Sequence, residues 1–282
     1  MKYERIDQHR GEYSVPLMCK ALHVSPEGYY AWKRRPARIE DRALATEIRI
    51  IHAQSRKTYG SPRVTEELHA QGKCINHKRV ERVMKAEGIR AKAARKYKAT
   101  TNSEHTLPVA PNLLKRDFTA TAPNQKWATD ITYLWTEEGW MYLCVVLDLY
   151  SRAIVGWALK RRLTADLACQ ALTRAVTRRS PPRGLIVHSD RGIQYASCDF
   201  RNLLKKHGLI QSMSRLGDCW DNATMESFFH SFKIEAVYGN VFESRRRIEA
   251  EVFDYIENFY NNNRRHSSIN YCSPLKFERL AA

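Results

Sequence analysis

Three β-type runs lie nearly end to end between residues 127 and 159, and no other feature constrains this chain of 282 residues so tightly. WATDITYLW, GWMYLCVVLDLY and RAIVGWAL are rich in β-branched and aromatic residues, with Gly139 and the Tyr150-Ser151-Arg152 turn marking the close connections. Connections this short make the three strands antiparallel. The pattern then alternates. A helix is expected from Thr164 to Arg178, a fourth strand at Gly184 to His188, a helix at Cys198 to His207 and a fifth strand at Leu209 to Ser212. Asp221 to Val237 reads as a helix with Met225, Phe228, Phe229 and Phe232 on one side. The fold class is α/β, a mixed five-stranded sheet flanked by helices. A last helix runs from Arg245 to Tyr260, with Ser244 as N-cap and Ile248, Val252, Ile256 and Phe259 as its buried stripe.

Small helical units precede the sheet. Pro16 to Leu22 and a helix opening at Ser25-Pro26-Glu27 form a helix, turn and helix that exit through Lys33-Arg34-Arg35. A core-only helical hairpin explains the aromatics Tyr29, Tyr30 and Trp32 equally well. The second unit has helices from Asp41 to Gln54, from Ser61-Pro62 to Gly72, and from His77 to Glu87, the last capped by Asn76 and stopped by Gly88. Its third helix keeps Val80, Val83 and Met84 on one face and His77, Lys78, Arg79, Arg82 and Lys85 on the others. That suits a helix-turn-helix whose last helix enters a DNA groove, against the plainer reading of a solvated charged face.

Charge favours the DNA reading. The chain has 47 Lys+Arg and 30 Asp+Glu, a net of +17, which points to a polyanionic partner. Residues 91–123, with Lys92, Arg95, Lys96 and Lys98 followed by TTNSEHTLPVAPN, read as a basic extended linker. The divisions are therefore 1–38 and 39–90 (helix-turn-helix units), 91–123 (linker), 124–240 (α/β core) and 241–282 (C-terminal helix and basic tail). The seven cysteines include no C-x-x-C pair and read as small core residues, neither disulfides nor a zinc site. No apolar run approaches membrane-spanning length, and the start is not a secretory signal, so a soluble cytoplasmic protein is expected.

The candidate chemistry lies in carboxylates. Asp130 is in the first strand, Asp190 just after the fourth, and Glu226 on the late helix. If they converge, their mutual repulsion is relieved by divalent cations. Two hard cations about 3.5–4 Å apart can activate a water or a 3′-hydroxyl on one side of a phosphate and stabilise the leaving oxygen on the other. Lys233, seven residues past Glu226 and two helical turns along the same face, would hold the backbone of a bound strand. Spacing alone does not single out this set. Asp148 is a rival, with a structural pairing to Arg152 as its alternative, Asp199 and Glu235 are others, and Asp221 reads as a helix cap.

Five blocks from residue 127 onward decide between these sets: WATDITYL, LDLYSRAIVGW, HSDRGIQY, the DNATMESFF–SFKIE helix and YNNNRRHSSINYCSP. With PLMCKALHVSPEGYYAW, YGSPRVTEEL and VERVMKAEGI nearer the start, they resemble the OrfB protein of insertion-sequence-3 family transposases, whose catalytic core is similar to retroviral integrase. The resemblance implies an RNase H-like sheet. It puts the family's catalytic, metal-holding aspartates on Asp130 and Asp190, its glutamate on Glu226 and its following lysine on Lys233. It implies two Mg²⁺, for which Mn²⁺ substitutes, and double-stranded DNA (element terminal inverted repeats and target) as substrate. It also implies at least a dimer on DNA, nucleoid association in a bacterial cytoplasm, and an OrfA partner supplied separately or by frameshift fusion. Gln194, beside Asp190, and Arg264 and Arg265 in the tail are further expected DNA contacts. The expected activity is 3′-end cleavage and strand transfer. The competing readings are a non-catalytic helix-turn-helix regulator and a nuclease of the same fold.

Overall fold

Residues 2–33 fold around three side chains, Ile6, Cys19 and Tyr29. The computed structural model of the chain describes residues 2–33, 39–92, 107–215 and 219–281. Helices α1 (Lys2–Gln8), α2 (Val15–Ala21) and α3 (Pro26–Lys33) supply that small core, with Tyr3, Met18, Leu22 and Trp32 packed around it. Ser25 caps α3 as its sequence predicts, its hydroxyl accepting from the Gly28 amide at 2.9 Å. The sequence reading did not include α1, because this short helix buries Ile6 alone and so shows no apolar stripe.

The second unit consists of α4 (Ile39–Gln54), α5 (Ser61–Ala70) and α6 (His77–Ala86). Helix α5 opens at Ser61-Pro62 as expected, with Gly60 in the cap position, and Asn76 caps α6 by accepting from the Lys78 amide. Leu44, Ile48, Val64, Leu68, Val80 and Val83 pack between these helices, and their cluster runs without interruption into the core beneath one face of the sheet. Of the expected linker, residues 93–106 lie outside the described residues, including Arg95, Lys96 and Lys98. The part from 107 onward is a strap held against protein. Leu114 is buried, Asn112 bonds Asp221, and the Leu113 amide donates to Ser212.

The five strands are β1 (Lys126–Thr136), β2 (Gly139–Asp148), β3 (Ile154–Lys160), β4 (Ile186–Ser189) and β5 (Ile210–Met213), in the order β3-β2-β1-β4-β5. The first three are antiparallel and β4 and β5 run parallel to β1, so the sheet is mixed as expected. Helix α7 (Ala165–Arg179) crosses one face so closely that a Cβ on Gly156 would lie 2.4 Å from the Ala171 carbonyl oxygen. With α8 (Ile193–Ala196) and α9 (Cys198–His207) it buries Trp127, Cys144, Val155, Leu172 and Phe200.

The other face is covered by α10 (Ala223–Phe232) and α11 (Arg245–Phe253). Both pass into π-helical turns, Lys233–Val237 and Asp254–Tyr260, where one continuous α-helix was expected in each case. The chain ends in α12 (Pro274–Ala281), also missing from the sequence reading. Of the described cysteines Cys19 and Cys144 are buried, but Cys74 and Cys198 are exposed, so the core role expected for all of them holds only in part. Among the described residues no helix is long and apolar enough to cross a membrane.

Candidate active site

Asp130 stands on the central strand opposite Val145, and Ser189 at the end of β4 pairs with Thr129. Asp190, the next residue, therefore emerges beside Asp130. Each carboxylate is held by a nearby amide, Asp130 by that of Ile131 at 2.7 Å and Asp190 by that of Gly192 at 2.9 Å. A Cβ on Gly192 would sit 3.0 Å from Asp190 Oδ1, so this tight turn favours glycine. Burial, then the charge of Asp190, holds the Asp130 carboxyl well above the usual carboxylate range. Glu226 adds to this more weakly, while the Ile131 amide and Lys233 pull the other way. The two aspartates, the glutamate and the lysine thus act on one another electrostatically.

Glu226 is exposed in the first turn of α10, and partial burial alone raises its carboxyl. Among the described residues no three His, Cys, Asp or Glu side chains are drawn into a set that could hold a metal ion. The structure thus brings the two aspartates together, while Glu226 is exposed on α10 and acts on Asp130 through its charge. The donors are all hard carboxylate oxygens, the chemistry that Mg²⁺ prefers.

The rival carboxylates have other work. Asp148 is buried and accepts from the Asn124 and Tyr150 amides and from Trp127 Nε1; Arg152 instead reaches Thr224. Asp221 is not the helix cap it was expected to be. It is buried and clamped by Arg215, Arg116 and Asn112, and Asn222 holds the cap position of α10. Glu235 is buried beneath α10, and Asp199 is exposed in the first turn of α9. His188 is in the core, bonded to Ser212 Oγ and the Asp221 carbonyl, and burial pushes its imidazole down.

The expected DNA contacts divide. Lys78, Arg82 and Lys85 are exposed on α6, and His77 is exposed with its ring bonded to Ser61 Oγ. Arg79 is half-buried and paired with Asp41 at 2.8 Å, so it braces the unit from within. Three of the expected contacts are turned toward the protein itself. Gln194 is buried behind Asp190. Arg264 is 3% exposed and forks onto Glu235 through two bonds of 2.7 Å. Arg265 is bound to Glu67 and the Tyr271 carbonyl. The basic tail motif is an internal clamp, a role invisible in the sequence because Glu67 lies 198 residues away.

The mixed five-stranded sheet and the matches that follow place the chain in the integrase–transposase class. The family model "Integrase core domain" matches residues 120–219, a second of the same description matches 226–280, and "HTH-like domain" matches 38–97. The chain is 49% identical over 283 aligned positions to Transposase InsF for insertion sequence IS3A of Escherichia coli (strain K12), covering 99% of this chain and 98% of that protein. It is 44% identical to a 31 kDa protein of insertion element IS600 from Shigella sonnei, covering 92% of this chain and 97% of that one. The chain belongs to the IS3 family of insertion-sequence transposases. Among solved structures, the HTLV-2 integrase catalytic core domain in complex with magnesium aligns at 14% identity with a TM-score of 0.42, over 57% of this chain and 99% of that one.

Proposed function

We propose that this transposase acts by metal-dependent polynucleotidyl transfer at Asp130, Asp190 and Glu226, cleaving an element 3′ end and joining it to a new phosphate. The observation that carries the reading is the pairing of Asp130, in the middle of β1, with Asp190, just past the end of the neighbouring β4, the Asp130 carboxyl being raised by burial and then by its neighbour's charge. Two Mg²⁺ held by these three carboxylates would polarise the phosphate and lower the pKa of an attacking water or 3′-hydroxyl. The chain supplies everything else. The Ile131 and Gly192 amides hold the aspartates in place. Glu226, exposed and jointed at three bonds, completes the set by turning inward from α10. Lys233 holds a non-bridging oxygen of the strand as a point charge. The exposed cations of α6 hold the duplex through its phosphates, with the terminal inverted repeats and the target as its two sources.

Joining two ends requires two copies of the site, so the working unit on DNA is at least a dimer, with OrfA as an additional or fused partner, in a nucleoid-associated cytoplasmic setting. The test incubates the protein with linear element-end DNA and Mg²⁺, with and without OrfA, and looks for joined strands. Asp190→Asn is expected to keep end binding and lose joining. Wild-type joining by that variant removes the assignment, and end binding with no joining by the wild-type chain under any of these conditions leaves the regulator reading.

A further inference from the structure

Past Asp130 the sheet narrows to a hairpin. β4 pairs with β1 only over Lys126–Thr129, and the pairing of β3 with β2 ends at Tyr142–Lys160, yet β1 and β2 continue together to Thr136–Gly139. Alternation gives this hairpin two unlike faces. Leu134 and Met141 point into the core beside α11, and the Glu137 amide donates to the Phe242 carbonyl, so that face is fastened. The opposite face carries Tyr133, Trp135 and Trp140, which are 37%, 56% and 50% exposed. Their rings meet edge to face, Trp135 with Trp140 at 4.9 Å and Tyr133 with Trp140 at 6.4 Å between centroids. The α7-side core reaches Cys144 and part of Tyr142 and goes no further along the hairpin. Three large aromatics side by side at the surface form the kind of patch that marks a binding face.

We propose that this face is a stacking platform for unpaired bases of the DNA strand engaged at Asp130. The occupant follows from charge. Lys160 lies directly across from Tyr142 on this face, paired with Asp166, and the exposed Arg161 and Arg162 that follow it line a cavity with Met141 and Arg245 at the edge toward the other face. A strand whose bases lie on the rings keeps its phosphates beside Lys160 and this basic edge, whereas a second copy of a chain of net charge +17 would bring like charge against it. Every base has a π-face, so the platform tolerates any sequence. Tyr133 is three residues from Asp130, about 10 Å along a strand rising ~3.3 Å per residue. Side chains at 130 and 133 project from opposite faces, so the strand passes around the part of β1 that β4 leaves unpaired. The inference deepens the polynucleotidyl-transfer reading and depends on it for the strand's position.

The experiment measures anisotropy of a fluorescein-labelled poly(dT) strand of about 12 nucleotides, within the span of single-stranded sites, and of a duplex end, with the full chain. Trp135→Ala with Trp140→Ala should weaken poly(dT) binding roughly tenfold or more and leave the duplex end bound as before. Trp135→Phe with Trp140→Phe keeps the π-faces and should retain most of the affinity, which separates stacking from misfolding. Unchanged poly(dT) affinity in the alanine pair overturns the proposal. So does loss of self-association in sedimentation with poly(dT) binding intact, which would assign the face to a second copy. Asp190→Asn should hold poly(dT) like the wild type, so failure of the platform and failure of the catalytic assignment are read separately.

Discussion

Asp221 lies five residues before Glu226 and has a different task. Bonds from Arg215 in the first place, and from Arg116 as well, hold its carboxyl far below the usual carboxylate range despite burial. A folded-state value depressed in this way adds stability above the ordinary carboxylate pKa, and that stability is lost as pH falls through the folded value. Asp221→Asn should therefore melt several degrees below wild type at neutral pH, the response of a domain this size to losing charged hydrogen bonds worth roughly 1.5–3 kcal/mol. The gap between the two melting temperatures should be constant down to about pH 5 and shrink below about pH 4. A gap independent of pH would show that the carboxylate charge contributes nothing. Lys233 makes the complementary case, because its effect on Asp130 puts it within reach of the site. Lys233→Ala should weaken DNA binding and reduce the slope of log affinity against log salt by about one; an unchanged slope removes its phosphate contact. Strand pattern alone leaves Asp130 and Asp190 level with Asp148, which also lies in a strand, and the choice of the former pair rests on the resemblance to the family's blocks. The clamp on Asp221 is not legible in the sequence, since Asn112 and Arg116 reach it from 109 and 105 residues away.

At the scale of elements, alternation made the three antiparallel strands readable, and Asn76, Ser25 and Ser244 marked helix starts that the structure keeps. The π-helical turns were not readable. A helix with one extra residue in its ring has no residue signature, and what selects it here is a tertiary partner. Beneath Lys233–Val237 the Glu235 carboxylate accepts from Arg264 and from Tyr255 Oη at 2.8 Å, the tyrosine coming from the second π turn. The two distortions are therefore locked to each other, and they fix the helix that carries Glu226 and Lys233. Arg264→Met removes the two short bonds to the buried Glu235 carboxylate and leaves it only Tyr255 Oη and the more distant Arg63 guanidinium at 4.0 Å, which should cost roughly 3 kcal/mol in urea denaturation. Adding Glu235→Leu removes that stranded charge and should recover most of the loss. If the double variant is no more stable than the single one, Arg264 works through packing and not through the pair.

For the whole molecule, the question is how many cores the chain has. Helices α4–α6 share one with the sheet face under α10 and α11, and the contact between them is reinforced by polar bonds. Arg56 pairs with Glu251 at 2.5 Å and lies over the rings of Tyr255 and Phe259, and the Arg265 amide donates to Tyr59 Oη. The sequence shows both units but not this seam, whose partners are about two hundred residues apart. The exposed face of α6 is thus carried on the same body as Asp130, as the proposed cleavage of a duplex held by α6 requires. The first unit is different, since Ile6, Cys19 and Tyr29 form a core of their own. Fewer than about 40 residues rarely bury enough surface to be stable alone. Calorimetry of the full chain should therefore show two transitions, a small early one for α1–α3 and a large one in which α4–α6 unfold together with the sheet. Deleting residues 1–38 should abolish the first and leave the second in place. If the deletion also lowers the main transition, the opening unit is part of the catalytic body; if α4–α6 melt separately, the shared core does not bind the two halves into one cooperative unit.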